Sequence, residues 1–168
     1  GLGLGFTIAI QLTTLTRSDF ADVYSQITTA SRFFALIGSY LAIIGLLLIA
    51  RISWIESAIG HDRLVTWHRK SMPYALYFIT AHILLVTLGY AGGDQMRVGA
   101  QLWTMITTYP WMLPATLGFV FLLLAGVTSY RVFRTGMSYE TWWVIHLYTY
   151  LGVALSFMHQ ILTGSMFI

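Results

Sequence analysis

The sequence predicts an all-α protein, a polytopic bundle of transmembrane helices, and three observations support this fold class. Of the 168 residues, 57% are hydrophobic and only 9% are charged, which is not the composition of an ordinary soluble domain. The charges stand between long uncharged runs, and a helix needs about 20 apolar residues to cross a bilayer. Histidines inside the apolar runs are the third observation, because ionisable side chains in a membrane usually have a function. We expect one domain over residues 1–168, with five spans and the lipid bilayer around it.

The charged residues bound the first three spans. Residues 2–16 are uncharged but form a short stretch for a membrane span. The second span is expected at about 33–50, where Arg51 ends the uncharged run. The third is expected at 71–93, directly after Lys70. Charges are costly at the bilayer centre, so each of these limits marks an approach to the membrane surface.

The last two spans come from longer uncharged runs. Residues 98–130 carry no charge and exceed the length of one span. Pro110 favours a helix start shortly after it, so we place the fourth span at about 111–130. The fifth span is expected at 141–163, with Gly164 as a natural helix end.

The distribution of Lys and Arg predicts the orientation in the cell membrane. The connections 51–70 and 131–140 contain six such residues, against three on the opposite side. The six are Arg51, Arg63, Arg69, Lys70, Arg131 and Arg134, and the three are Arg17, Arg32 and Arg97. The positive-inside rule therefore places these two connections in the cytoplasm.

The composition also excludes several classes of function. The net charge is +3, but the cations are scattered, and nucleic-acid binding requires them to be clustered on one face. The chain has no cysteine, so it cannot form a disulfide, ligate an iron–sulfur cluster or attach a c-type haem.

Four of the five histidines lie in, or at the mouth of, the third and fifth spans. His68 and His82 are 14 residues apart (82 − 68), and His146 and His159 are 13 apart (159 − 146). The third and fifth spans run parallel, because one span separates them. We therefore expect His68 level with His146 and His82 level with His159. Two imidazoles at each depth, in an apolar bundle without cysteine, suit a b-type haem, whereas zinc takes more protein ligands. A histidine in a membrane can also simply bond to a neighbouring helix.

The two spacings differ in their angular consequence. At 100° per residue, a separation of 14 returns to within about 40° of the same face, whereas 13 leaves about 140° between the positions. Either the fifth span is locally distorted, or its two histidines approach their haems from different sides.

These histidines and their surroundings resemble the ferric reductase-like transmembrane domain that ferric reductases and NADPH oxidases share. The stretches that carry the resemblance are Gly60-His61-Asp62-Arg63-Leu64, Trp67-His68-Arg69 and Tyr139-Glu140-Thr141-Trp142-Trp143, and they look like those of bacterial members. The resemblance implies that His68 and His146 bind the iron of an inner haem b, and that His82 and His159 bind that of an outer haem b. Electrons would come from NAD(P)H through a cytoplasmic FAD and leave to an external acceptor.

The resemblance implies roles for two arginines as well. Arg32 stands where NADPH oxidases have an arginine beside the outer haem, at the acceptor site, although an interfacial anchor is an equally good interpretation. Arg69 follows His68 and is expected to contact a propionate of the inner haem. Val86 replaces a histidine of the eukaryotic superoxide-forming oxidases. The acceptor therefore stays open between ferric iron and oxygen.

The sequence thus predicts the haem part of a membrane oxidoreductase of the ferric reductase or NAD(P)H oxidase type. The sixth span of the family and its flavin dehydrogenase modules are missing, so we expect a piece of a larger protein or a separate dehydrogenase subunit. The main alternative is a quinone-reactive dihaem cytochrome b or respiratory membrane anchor. Acidic residues near a haem would favour that alternative, and spans two to five contain none. A non-redox transporter or structural bundle is the third class.

Overall fold

The computed structural model describes residues 2–163, except for the side chains at 131, 132, 162 and 163, and every regular element in that part is helical. The elements are α1 (Leu2–Thr13), a 3-10 helix (Arg17–Phe20), α2 (Val23–Ile49), α3 (Ser53–Ile59), α4 (His61–Gly93), α5 (Val98–Thr108), α6 (Met112–Ser129), α7 (Arg131–Arg134) and α8 (Tyr139–Thr163). The predicted all-α fold is confirmed.

Three helices of the described part, α2, α4 and α6, are long and apolar enough to cross a membrane. α1 is apolar but shorter, and α8 is 25 residues long without belonging to this group. The chain is thus a helical membrane protein. The predicted number of five spans and the single domain over residues 1–168 stay predictions.

Two of the long helices begin well before the apolar stretches inside them. α2 begins at Val23, where the Asp22 carboxylate accepts hydrogen bonds from the N–H groups of Tyr24 and Ser25 at 2.8 and 3.0 Å. α4 begins at His61. A helix can continue into the polar interface, so charges mark where the bilayer ends and not where the helix ends.

The chain divides into two compact units, Gly1–Gln101 and Leu102–Ile168. In the first, α2 and α4 pack along each other in antiparallel directions, α1 and the 3-10 helix pack on α2, and α3 contacts α4. In the second, α6 packs along α8 and contacts α7. α5 crosses the boundary between the units.

Glycines bring the paired helices of each unit into backbone contact. A Cβ built on Gly118 of α6 would lie 2.5 Å from the carbonyl oxygen of Gly152 in α8, and one on Gly152 would lie 2.8 Å from that of Gly118. In the first unit, a Cβ on Gly38 would lie 3.1 Å from the backbone nitrogen of Ile79. Small residues are how membrane helices approach closely, and this packing accounts for the three glycines.

Candidate functional site

Two histidines of α4 make the same contact with α2. Nδ1 of His68 lies 2.9 Å from the carbonyl oxygen of Gly45, and Nδ1 of His82 lies 3.0 Å from that of Ser31. A carbonyl oxygen can only accept, so Nδ1 carries the hydrogen in both rings. In the neutral imidazole the lone pair then belongs to Nε2, the atom that would bind a metal.

These contacts follow one antiparallel seam between the two helices. Along α2 the seam runs through Ser31, Gly38 and Gly45, and along α4 through His82, Ala75 and His68, in steps of seven residues on each helix. At its centre, a Cβ on Gly38 would lie 3.3 Å from the Ala75 carbonyl oxygen. Steps of seven keep both histidines on the face that meets α2. The 14-residue spacing on α4 is therefore matched on α2.

Gly45 brings the backbone of α2 close to the ring of His68. A Cβ built there would lie 3.6 Å from His68 Nδ1 and would overlap the Sδ and Cε atoms of Met72. Met72, one turn after His68, thus occupies the space that a larger residue at 45 would take. The side chain of His68 is half-buried in this setting.

His146 is held by residues of its own unit. Its ring stacks on Trp142 with centroids 4.8 Å apart and an interplanar angle of 25°. Nε1 of Trp142 donates to the Ser129 hydroxyl at 3.1 Å, and the same oxygen lies 3.5 Å from Nδ1 of His146. The guanidinium carbon of Arg134 lies 5.1 Å from the centre of the Trp142 ring, a cation–π distance.

His159 is anchored within α8. Its Nδ1 lies 2.6 Å from the carbonyl oxygen of Ser156, one turn earlier, so the hydrogen belongs to Nδ1 here too. α8 is a continuous α-helix through both of its histidines. In a regular helix, a separation of 13 residues places His146 and His159 about 140° apart around the helix axis. This geometry favours the second possibility, in which the two histidines approach their haems from different sides.

Arg32 lies on α2, directly after Ser31, and is paired with an acid. Its Nη1 is 2.9 Å from Oδ1 of Asp19 in the 3-10 helix. Oδ2 of Asp19 accepts from the backbone N–H and the hydroxyl of Thr16, both at 2.8 Å, and Oδ1 lies 3.2 Å from the Thr29 hydroxyl. The Thr16 bonds above all, with Arg32 and Thr29, lower the pKa of Asp19 below its ordinary value.

The remaining predicted residues stand as follows. Arg69 is exposed on α4 beside His68, and its contact with a haem propionate stays a prediction. His61 is the first residue of α4, with Nδ1 4.0 Å from Oε1 of Glu56. Arg131 falls among the residues whose side chains lie outside the described part.

The ligand pairs of the sequence analysis join the two units, His68 with His146 and His82 with His159. This pairing stays a prediction. Among residues 2–163 no group of three or more His, Cys, Asp or Glu side chains could hold a metal ion. A b-type haem would need only two imidazoles from the protein, whereas zinc takes more protein ligands.

The partners of these residues are not evident from the sequence. The carbonyls of Ser31 and Gly45 leave no trace in a sequence, because every residue has a carbonyl. The Lys and Arg pattern gives no indication of Asp19, although an acid among uncharged runs is a detectable signal. Ser129 lies within the uncharged run 98–130, where nothing distinguishes it from the rest of the span.

Comparison with known proteins gives one family match. The family model described as ferric reductase like transmembrane component matches residues 34–157, more than half of the chain. Searches of curated proteins and of solved structures found no match. The matched range includes His68, His82 and His146, and it ends two residues before His159. The match indicates an oxidoreductase function and electron transfer across a membrane. The chain therefore belongs to the family of ferric reductase like transmembrane components.

Proposed function

We propose that this chain carries electrons across the cell membrane through two b-type haems, from a cytoplasmic NAD(P)H and flavin donor to ferric iron or oxygen outside. One observation carries the proposal. Both histidines of α4 donate Nδ1–H to carbonyls of α2, which puts the lone pair of a neutral ring on Nε2, the atom through which it would bind iron.

The residues of the chain fit the proposed cofactor. His68 with His146 would hold the inner haem, and His82 with His159 the outer one. Four imidazoles and no thiolate form a ligand set of the kind b-type haems use. When bound, each haem supplies an iron that takes up and gives off one electron.

The surroundings of the four rings set their orientation. A hydrogen bond from Nδ1 to a carbonyl restricts rotation of the ring and makes Nε2 a better donor. His68 and His82 have this bond to α2, His159 has it within α8, and His146 has the stack on Trp142 instead. The chain would therefore hold its rings before any cofactor binds, which lowers the entropic cost of binding it.

The donor side follows from the predicted orientation. With connections 51–70 and 131–140 in the cytoplasm, Arg69 would reach a propionate of the inner haem, and a flavin dehydrogenase domain or subunit would dock on the same side. FAD and NAD(P)H belong to that partner in this proposal. Arg32 would lie at the opposite surface, near the site where the acceptor takes up electrons.

The first experiment counts haem. The chain is purified in detergent, and haem per chain is measured by absorption spectroscopy. We expect two haems for the unaltered chain, one for His82→Ala, and two for the control His61→Ala, which alters a histidine outside the proposed ligand set. A chain that binds no haem would refute the proposal. The pairing would be refuted if each of the four single substitutions of His68, His82, His146 and His159 by Ala removed both haems, or if none removed any.

The second experiment identifies the donor. We expect reduced flavin, or a cytoplasmic reductase domain of the family, to reduce the haems quickly and quinols to reduce them slowly. Rapid reduction by quinols would instead assign the chain to the quinone-reactive dihaem cytochromes.

A further inference from the structure

The ion pair between Asp19 and Arg32 is tightly built. The side chain of Asp19 is only 13% exposed, against 36% for Arg32. Besides Arg32, the carboxylate takes hydrogen bonds from Thr16 and Thr29. A carboxylate with so many donors stays ionised and keeps one position. The pair is thus a fixed pair of opposite charges, and not two mobile surface groups.

This pair is connected to the ligand His82 through one residue of backbone. Arg32 follows Ser31, whose carbonyl oxygen accepts the hydrogen bond from His82 Nδ1. Thr29, two residues before Ser31, contacts the Asp19 carboxylate. Thr29 and Arg32, at the two ends of segment 29–32, therefore both contact the Asp19 carboxylate. Ser31, between them, supports the imidazole of His82.

We propose that Asp19 is a positioning residue of the outer haem site: it holds Arg32 at the end of α2 that supports His82 and offsets most of its positive charge. This inference rests on the proposed function, since it assigns an effect on the haem that His82 binds. Its consequence is electrostatic. A positive charge near a haem favours the reduced iron, and a negative charge favours the oxidised iron.

The two members of the pair therefore have opposite effects on the potential. Asp19→Asn leaves the charge of Arg32 uncompensated, so the outer haem should be reduced more easily. We expect the equilibrium constant for its reduction to rise by about threefold or more. Arg32→Gln leaves the carboxylate alone and should shift the same constant in the opposite direction. The double variant should return close to the unaltered protein.

The experiment is a spectroscopic redox titration of the full chain with both haems bound. The outer haem is identified as the one that His82→Ala removes. Asp22→Asn is the matched control: it makes the same charge change at the same end of α2, and it caps that helix without contacting Arg32. Asn is also a good N-cap residue. We expect this control, and the potential of the inner haem in every variant, to be unchanged.

The result separates an electrostatic role from a structural one. If Asp19 only stabilised the fold, both single variants would shift the potential in the same direction, and the double variant would be the most altered. That result, or the absence of any shift, would overturn the inference while leaving the two haems in place. Absence of haem from the unaltered chain would instead overturn the proposed function. Asp19→Glu keeps the charge and should keep the potential, which tests the inference even if Asp19→Asn folds poorly.

Discussion

The contact between Gly118 and Gly152 allows a quantitative test of the packing in the second unit. In Gly118→Ala the new Cβ would lie 2.5 Å from the Gly152 carbonyl oxygen and 2.6 Å from the Ser156 hydroxyl. Ordinary contact begins at 3.4 Å, and a backbone carbonyl within a helix cannot turn away. α6 and α8 must then separate locally by about 0.9 Å (3.4 − 2.5), which costs typically about 1–3 kcal/mol for an overpacked interior.

Alanine has a better helix propensity than glycine, by about 1 kcal/mol in water, which offsets part of this cost. We therefore expect Gly118→Ala to lower the free energy of unfolding by up to about 2 kcal/mol. The assay is reversible unfolding of the purified chain in mixed micelles, followed by circular dichroism.

Two further variants should lose less stability than Gly118→Ala. Gly152→Ala brings its Cβ to 2.8 Å from the Gly118 carbonyl oxygen, a smaller overlap, and should cost less than Gly118→Ala. Gly5→Ala in α1 meets nothing within 4 Å and should cost nothing. Equal stability of all three variants would refute the close packing of α6 on α8.

The same substitution tests the link from packing to the site. Ser156, which the new Cβ would push, provides the carbonyl that accepts from His159. Gly118→Ala should therefore weaken the binding of the outer haem more than that of the inner haem, as measured by haem release on mild heating. Equal weakening of both haems would argue against this link.

Three other outcomes follow from the contacts described. Gly38→Ala, at the centre of the seam between α2 and α4, should lower the content of both haems equally, as haem per chain would show. Trp142→Leu removes the ring stacked on His146 and should reduce retention of the inner haem, whereas Trp143→Leu, an exposed neighbour, should retain it. The third outcome concerns pH. The pKa of Asp19 is lower in the folded chain than its ordinary value, so its carboxylate stabilises the fold at neutral pH and loses that effect as the pH falls below about 4. Between neutral and acid pH, the free energy of unfolding should therefore decrease less in Asp19→Asn than in the unaltered chain. An equal decrease in the two proteins would contradict this.

The structure explains why the predicted spans and the helices differ at their N-terminal ends. The predicted spans end at charged residues, because a charge is costly at the bilayer centre. α4 nevertheless runs from His61, so His68 is inside a helix and faces α2. A charged residue indicates the limit of the hydrocarbon core, whereas the end of a helix depends on capping and on packing with a neighbouring helix.

The partners of the histidines could not be predicted for a different reason. The oxygen atoms that accept from His68, His82 and His159 are backbone carbonyls, which every residue possesses. For His68 and His82, the carbonyl that is reached depends on the register between α2 and α4, and that register is set by the close fit at Gly38 and Gly45. Gly45 could be recognised as a residue of close approach, but not as the support of His68.

The sequence by itself determined that the chain is a helical membrane protein, because apolar runs of sufficient length have no stable alternative in lipid or water. It also determined where the ionisable rings lie, since positions along a helix follow from counting residues. Only the tertiary structure decided which nitrogen of His68 and His82 carries the hydrogen and that Arg32 is held by Asp19. Those properties depend on distances between segments far apart in the chain, and helix packing fixes such distances to fractions of an ångström.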